Sequence, residues 1–446
     1  KNVFTATGEL FDGCKEWSDE SAVKLYTSIV LRDIKTNVLP NGVQLEYPQL
    51  KLFSVRADHQ ESSSLKIPNN FFERMIQVRV VNLTYMNLRP LPSSLGLLSN
   101  LRTLSLCNWF FTTQASLFSK QESERPEKSS YDIPSNKIIL EDDISIAKSL
   151  FIEKVALPKL EKLELRSINV ERIWQNQVSA LFCGFQNLIH LTLYKCRNLR
   201  CLFSSSILSN SIFVRLQHLE IWGCPVLEEI IIVDQEKWNN NIVMFPQLQY
   251  LKLHDLEKLT RFCTRDVHII TFPSLRKLWI SRCPEFMVRH KRTTSDLAEK
   301  LFPNLEELRA DAKHIATNNS LFPEDLLCKL KCLEAESIFS LDDFLRRFHT
   351  IKVLCIGGGS YGWEAKENVE NGMVVIIRDL NKCSDLKHFL KQESSVMDNL
   401  EQLKISECSH LINLVPSSSS FQNLTTLVVS YCKGLKNVLT SSAQTW

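Results

Sequence analysis

The chain lacks the features that would place it in a membrane, on nucleic acid or among the common enzyme classes. No run of about 18 apolar residues occurs, so no membrane-spanning helix is predicted. The opening residues, Lys1-Asn-Val-Phe-Thr-Ala-Thr-Gly8, do not form a signal peptide. They start on Lys and not on Met, so a fragment or processed product is expected. The formal net charge is +3 over 446 residues, too small to argue for nucleic acid or an anionic membrane. No G-x-S-x-G, H-E-x-x-H or kinase signature is present. Gly357-Gly358-Gly359 lacks the Lys-Ser/Thr of a phosphate loop and reads as a tight turn. The ten histidines are scattered, and Cys328-x-x-x-Cys332 has no second pair at zinc spacing. Asn82-Leu-Thr84, Asn318-Asn-Ser320 and Asn423-Leu-Thr425 match the glycosylation sequon and read as chance matches. No catalytic, cofactor-binding or metal-ligating residue is assigned.

What the chain does have is one sentence said many times. Phe185-Gln-Asn-Leu188-Ile-His-Leu191-Thr-Leu193-Tyr-Lys-Cys196-Arg-Asn-Leu199 returns as Phe421-Gln-Asn-Leu424-Thr-Thr-Leu427-Val-Val429-Ser-Tyr-Cys432-Lys-Gly-Leu435. The shared grammar is L-x-x-L-x-L-x-x-C/L/I, then x-x-L. The first residue of each central L-x-L marks one copy: Ile29, Phe53, Val81, Leu104, Leu163, Leu191, Leu219, Leu251, Leu278, Leu308, Leu333, Leu354, Val375, Leu403 and Leu427. These markers lie about 21 to 32 residues apart, close to the leucine-rich-repeat period, except for one gap of about 59. A degenerate copy at Ile138-Ile-Leu140 would divide that gap.

The grammar has a physical cause. L-x-L is a short strand whose period of two sends both apolar side chains to one face. One copy cannot bury that face alone, so copies stack and share a continuous core. The expected fold is α/β: a leucine-rich-repeat solenoid, or horseshoe, with a parallel sheet on the concave face and an irregular, short-helical convex side.

In chain order, residues 1–20 are expected to be a junction or cap, with Val3-Phe4 as a strand and Trp17 plugging the core. Residues 21–111 hold the first repeats. Residues 112–149 break the rhythm as a polar insertion or degenerate repeat, since Gln114 to Ser135 is rich in Ser, Glu, Lys and Gln. Residues 150–446 hold the remaining repeats. Many copies open on Leu157-Pro158, Phe245-Pro246, Phe272-Pro273 or Phe302-Pro303, where proline is expected to start the strand. Cys196, Cys224, Cys283, Cys408 and Cys432 share one repeat position and read as buried small residues. With no paired capping cysteines, a reducing, intracellular compartment is expected.

Function is expected on the residues that alternate with the buried pair. The column before the pair reads His190, His218, Tyr250, Lys277, Glu307; the middle column reads Thr192, Glu220, Lys252, Trp279, Arg309. The column after it reads Tyr194, Trp222, His254, Ser281, Asp311. Aromatic rings among charges are what protein-binding surfaces favour. Tyr194, Trp222, Tyr250, His254, Trp279 and Arg309 are the candidate protein-binding residues; the alternative, that these rings only cover the strand floor or touch another domain, stays open.

The segments Phe185–Ser206, Leu216-Gln-His-Leu-Glu-Ile-Trp-Gly-Cys224 to Ile231, Phe245-Pro-Gln-Leu-Gln-Tyr-Leu-Lys-Leu253 to Cys263, and Leu163 to Trp174 carry a resemblance. They resemble the repeat region of plant coiled-coil nucleotide-binding leucine-rich-repeat disease resistance proteins, and Glu16-Trp17 looks like that family's junction into the repeats. The resemblance implies a cytoplasmic region that holds a nucleotide switch off and senses pathogen effectors or guarded host proteins. It also implies an intramolecular nucleotide-binding partner domain. ATP or ADP would belong to that domain, because no phosphate loop is present here, and the chain itself is expected to need no cofactor. Two other readings are weighed. A receptor ectodomain would want a signal peptide, capping cysteines and L-x-G-x-I-P turns. A substrate adaptor or an enzyme would carry its catalytic work elsewhere.

Overall fold

The computed structural model describes residues 2–7, 24–34, 39, 46–58, 65–86, 91–107, 147–151, 157–174, 184–208, 213–233, 245–263, 272–286, 302–311, 315, 322, 324–327, 329–335, 352–356, 373–378, 400–408, 411–414 and 423–436. The chain forms two compact units: Lys1–Leu188 with Leu193–Ile212, and Ile189–Thr192 with Phe213–Trp446. Gly357–Gly359, Trp17, Cys328, Asn318 and the polar stretch from Gln114 to Ser135 lie outside the described residues.

The first unit holds β1 (Val3–Thr7), β2 (Ser28–Ile34), β3 (Leu52–Ala57), β4 (Val80–Thr84), β5 (Thr103–Cys107), β6 (Ala147–Phe151), β7 (Lys162–Arg166) and β8 (Val170–Trp174). β9 (His190–Tyr194) has residues in both units, and β10 (Cys201–Ser204) follows in the first. The ladder β1-β2-β3-β4-β5-β7 is parallel throughout. Its register aligns Phe4, Ile29, Phe53, Val81, Leu104 and Leu163, so the repeat markers sit opposite one another. β1 adds a ladder strand inside the segment read as a junction. β5 pairs directly with β7 across the long gap. That leaves no ladder position for the copy expected at Ile138–Leu140, residues outside the described set; β6 pairs with β8 instead.

The second unit holds β11 (His218–Trp222), β12 (Glu229–Ile232), β13 (Tyr250–His254), β14 (Arg261–Cys263), β15 (Lys277–Ser281), β16 (Glu307–Ala310), β17 (Cys332–Ala335), β18 (Val353–Ile356), β19 (Met373–Arg378), β20 (Leu400–Ser406) and β21 (Thr426–Ser430). Its ladder β11-β13-β15-β16-β17-β18-β19-β20-β21 is again parallel, with Leu219, Leu251, Leu278, Leu308, Leu333, Leu354, Val375, Leu403 and Leu427 in register. β12 and β14 form a second parallel pair behind it. The fold is a leucine-rich-repeat solenoid. Helices are short among the described residues: a 3-10 turn at Ser93–Leu97, and single α turns at Ser205–Leu208 and Glu324–Leu327.

The core follows from the alternation. Ile29, Leu31, Phe53, Val55, Leu163 and Leu165 in the first unit, and Leu251, Leu253, Leu278 and Ile280 in the second, are fully buried. Burying each such side chain is worth about 1.5–3 kcal/mol, which repeats from copy to copy. A second column of rings lies behind the strands. Phe272 stacks on Phe245 at 6.4 Å and on Phe302 at 5.7 Å, and Trp174 stacks on Phe203 at 5.3 Å.

Proline has a different job from the one expected. Phe245, Phe272 and Phe302 each open a turn whose carbonyl accepts the N–H of the Leu three residues on, at 3.1, 3.1 and 3.3 Å. Proline therefore sits second in a β-turn ahead of the strand, where its fixed φ presets the bend. Asn or Ser from the following copy closes each turn onto its neighbour. Asn187 Nδ2 donates to the Pro158 carbonyl at 2.6 Å, Ser274 Oγ to Pro246 at 2.6 Å, and Asn304 Nδ2 to Pro273 at 2.6 Å.

Among the described residues, eight of the strands then exit through a left-handed residue. Tyr85, Ser167, Lys195, Gly223, Asp255, Arg282, Glu407 and Tyr431 have φ between 51° and 65°, and only one of them is glycine. The N–H turned outward by this bend reaches the next copy: Ser167 donates to Tyr194 at 2.7 Å and Asp255 to Ser281 at 3.0 Å. Beyond it the cysteine turns inward. The thiols of Cys196 and Cys283 donate to the carbonyls of Leu165 and Leu253 in the preceding copies, at 3.7 and 3.6 Å. Cysteine there is a small apolar residue that also satisfies a strand carbonyl; Cys196, Cys224, Cys283 and Cys408 are buried, whereas Cys432, expected to be buried as well, is only partly so.

Candidate functional site

With the apolar pair turned inward, the alternate residues of β11, β13, β15, β16 and β17 share the opposite face of the ladder. The register draws them into three rows. His218, Tyr250, Lys277 and Glu307 are successive neighbours along one row. So are Glu220, Lys252, Trp279, Arg309 and Glu334, and so are Trp222, His254 and Ser281. Neighbouring strands run about 4.8 Å apart, so each row is a continuous line of contacts.

The middle row alternates charge and ring. Lys252 Nζ lies 3.9 Å from the Trp279 ring centre and 5.2 Å from that of Trp222. The Arg309 guanidinium covers Trp279 at 3.8 Å. Arg309 Nη1 in turn lies 3.2 Å from Glu334 Oε1, a pair held by charge more than by aligned hydrogen bonds. An indole held between two cations is a favourable use of its negative face, worth up to about 2 kcal/mol where water is excluded. Water is largely excluded here: Trp279 is 9% exposed and Arg309 3%.

The outer rows complete the lattice. His254 meets Trp222 edge-on at 5.1 Å and Trp279 at 5.8 Å. Ser281 Oγ accepts the Trp279 Nε1–H at 2.8 Å and sits 2.5 Å from His254 Nδ1. His190 stacks on His218 at 4.4 Å, and His218 meets Tyr250 at 6.0 Å. Lys277 and Glu307 pair at 3.4 Å. Burial holds the His218 imidazole below its ordinary pKa, with Lys277 adding to the shift and Glu220 opposing it. Burial likewise lowers the Lys252 ammonium, Glu220 opposing and Arg309 adding. It raises the Tyr250 phenol well above its usual range. The Coulomb links to Glu220 bind the three groups into one electrostatic unit.

Five of the six candidate residues therefore belong to one contact system in the second unit. Trp222 is its accessible member, 38% exposed. Tyr250 and His254 are half-buried, and Trp279 and Arg309 are the support beneath. Tyr194 lies in the first unit, where Arg166 and Lys195 approach its ring at 5.4 and 5.3 Å. Glu220, Lys252, Ser281 and Glu334 were missed as site members. Lys252 and Glu220 stood in the middle column already, but nothing local marked Glu334 as the partner of Arg309, which lies a full copy earlier.

Among the described residues, no group of three or more His, Cys, Asp or Glu is placed to hold a metal ion. Among them, no helix is long and apolar enough to cross a membrane.

Comparison with known proteins agrees with the repeat. Residues 159–288 match the family described as plant disease resistance protein RPS2-like, leucine-rich repeats. That span includes β7 to β15 and most of the face just described. A chain in the solved Toll–Spatzle complex from Drosophila, described as a molecular hub in development and innate immunity, is similar over 93% of this chain, with 11% identity and a TM-score of 0.48. The matched region is 44% of that chain, so this chain spans less than half of that relative's length.

Proposed function

We propose that this chain, in which residues 159–288 match plant disease resistance leucine-rich repeats, is the protein-recognition and autoinhibitory region of an intracellular plant immune receptor. It acts in the cytoplasm by binding and not by catalysis. Its partner is a pathogen effector or a guarded host protein. In the resting state it also lies against a nucleotide-binding domain of the same receptor, and ATP or ADP belongs to that domain.

The observation that carries the reading is the lattice around Trp222. An exposed indole braced by His254 and Lys252, on a floor made rigid by Trp279, Arg309 and Glu334, has the build of an interface hot spot. Rigid aromatic anchors lose little conformational entropy on binding, which is why such surfaces favour Trp and Tyr. The family match covers β11, β13 and β15, the strands that carry Trp222, Lys252, His254 and Trp279.

The test is a pairwise interaction screen of candidate effector and host proteins against the chain and its Trp222→Ala variant. A partner bound by this face is expected to lose on the order of thirtyfold in affinity with Trp222→Ala, the scale of a hot spot. If every partner of the parent chain binds the variant equally well, recognition does not run through this face.

A further inference from the structure

The first unit carries a second surface, on the rim where the chain enters the strands. The residue two before each marker forms a column along this rim: Thr27, Lys51, Arg79, Arg102 and Glu161. Backbone bonds tie successive members together. Arg79 N–H donates to Lys51 O at 2.8 Å, Arg102 N–H to Arg79 O at 2.8 Å, and Glu161 N–H to Arg102 O at 2.8 Å. Three cations therefore follow one another at strand spacing, about 4.8 Å.

All three are exposed. Arg102 is answered by Glu161 at 3.0 Å. Among the described residues, Lys51 and Arg79 take part in no ion pair. Charged groups nearby among the described residues include Lys24, Glu73, Lys159, which bonds Asn100 Oδ1 at 2.8 Å, and Arg74, which pairs with Glu46 at 3.0 Å. The one carboxylate of the column, Glu161, stands at its end and answers Arg102, which leaves Lys51 and Arg79 without one among the described residues.

The same rim also exposes apolar side chains. Leu25 is 55% exposed, Ile76 52% and Leu97 52%. Ile76 stands just before the strand that Arg79 opens, and its carbonyl accepts Asn100 Nδ2–H at 2.9 Å, which fixes it beside the next copy. A solvated face of a repeat protein would carry polar residues at these positions. Exposed apolar groups in the segments that lead into these strands, together with the unanswered cations Lys51 and Arg79, describe a surface that a partner completes.

We propose that this rim, centred on Lys51, Arg79 and Ile76, docks an acidic protein segment that also bears apolar side chains. Carboxylates of the partner answer Lys51 and Arg79, and its apolar groups cover Ile76, Leu25 and Leu97. A nucleic acid would answer the charges and leave the apolar groups wet, so a protein segment fits both halves of the surface. The site lies in the first unit, and it stands or falls independently of the face around Trp222.

The experiment uses the 446-residue chain and a fluorescent peptide of alternating Glu and Leu, read by anisotropy. Binding is expected, and it should weaken on order tenfold between about 50 and 300 mM salt, because rim charges are screened by ions. The double substitution K51E/R79E should weaken it on order tenfold or more, and Ile76→Ser severalfold. Arg276→Glu, on the equivalent rim position of the second unit, should leave it unchanged. Circular dichroism reports whether each variant is folded, and the neutral pair K51Q/R79Q replaces the reversal if that variant is not. No binding of the Glu-Leu peptide overturns the proposal. So does equal binding by K51E/R79E or K51Q/R79Q, equal binding of a Lys-Leu peptide, or binding of phosphatidylserine vesicles or duplex DNA in place of the peptide.

Discussion

Glu334→Ala tests whether the floor beneath Trp222 is held by its buried charges. Glu334 and Arg309 lie 3.2 Å apart with both side chains 4% exposed. Removing the carboxylate leaves a guanidinium almost without water and without its counter-charge. Breaking a buried pair in this way costs about 3–5 kcal/mol. The guanidinium keeps its place over Trp279 at 3.8 Å, and that contact recovers part of the loss. The expected destabilisation is therefore at the lower end, about 3 kcal/mol. Replacing both partners, Arg309→Met with Glu334→Leu, removes the desolvation cost together with the attraction. That variant is expected to fall within about 1 kcal/mol of the parent or above it. Because repeat arrays do not melt as one two-state unit, the readout is hydrogen exchange of β15, β16 and β17 alongside urea denaturation. Glu334→Ala within about 0.5 kcal/mol of the parent, the scale of an ordinary surface change, would refute the reasoning. A double variant as unstable as the single one would refute it too, since the cost would then lie in packing and not in charge.

Lys195→Gly is expected to stabilise the chain by about 0.5–1 kcal/mol, since a side chain in the left-handed region costs roughly 1–2 kcal/mol that glycine escapes. Gly223→Ala at the matching position should lose about 1 kcal/mol; thermal melts that show no difference at either site would contradict the φ values of 53° and 65°. Phe272→Ala opens the ring column between Phe245 and Phe302 and should cost about 3–5 kcal/mol by urea denaturation, and a loss under 1 kcal/mol would mean that the column collapses to fill the gap. The His218 imidazole titrates below its ordinary 6.5, so the folded chain binds fewer protons there than the unfolded chain. Its contribution to stability is present above pH 6.5 and is lost as pH falls through the folded value, and an NMR titration midpoint at or above 6.5 would overturn the assignment.

What was legible in the sequence is what each copy writes within itself. Leu251 and Leu253 had to share a face because a strand alternates, and Leu219, Leu251 and Leu278 had to align because copies that stack bury like on like. The cysteine position was legible for the same reason, although its thiol-to-carbonyl contact was not. Proline was misread because its fixed φ suits both a strand start and the second place of a turn, and only the bond closing Phe245 to Leu248 separates the two. The left-handed exits were hidden because Lys195, Arg282 and Tyr431 carry no mark of the conformation that glycine would have signalled.

The site was legible as a set of columns but not as a graded surface, and the gradation decides how it works. Trp222 and Trp279 stand on the same face two copies apart, one in the column after the buried pair and one in the middle column, and the sequence does not say which ring keeps accessible surface. Their fates differ because Trp279 stands in the middle row, with Lys252 on one side and Arg309 on the other, whereas Trp222 stands at the end of its strand. A ring enclosed by two cations cannot also offer a face to a partner. A ring at the strand end, touched by His254 on its edge, keeps accessible surface. On the proposed function, substituting Trp279 is expected to alter binding through the stability of the floor, and substituting Trp222 at the contact itself. The two effects separate in one measurement: Trp279→Ala should weaken hydrogen-exchange protection along β13, β15 and β16, and Trp222→Ala should leave that protection intact.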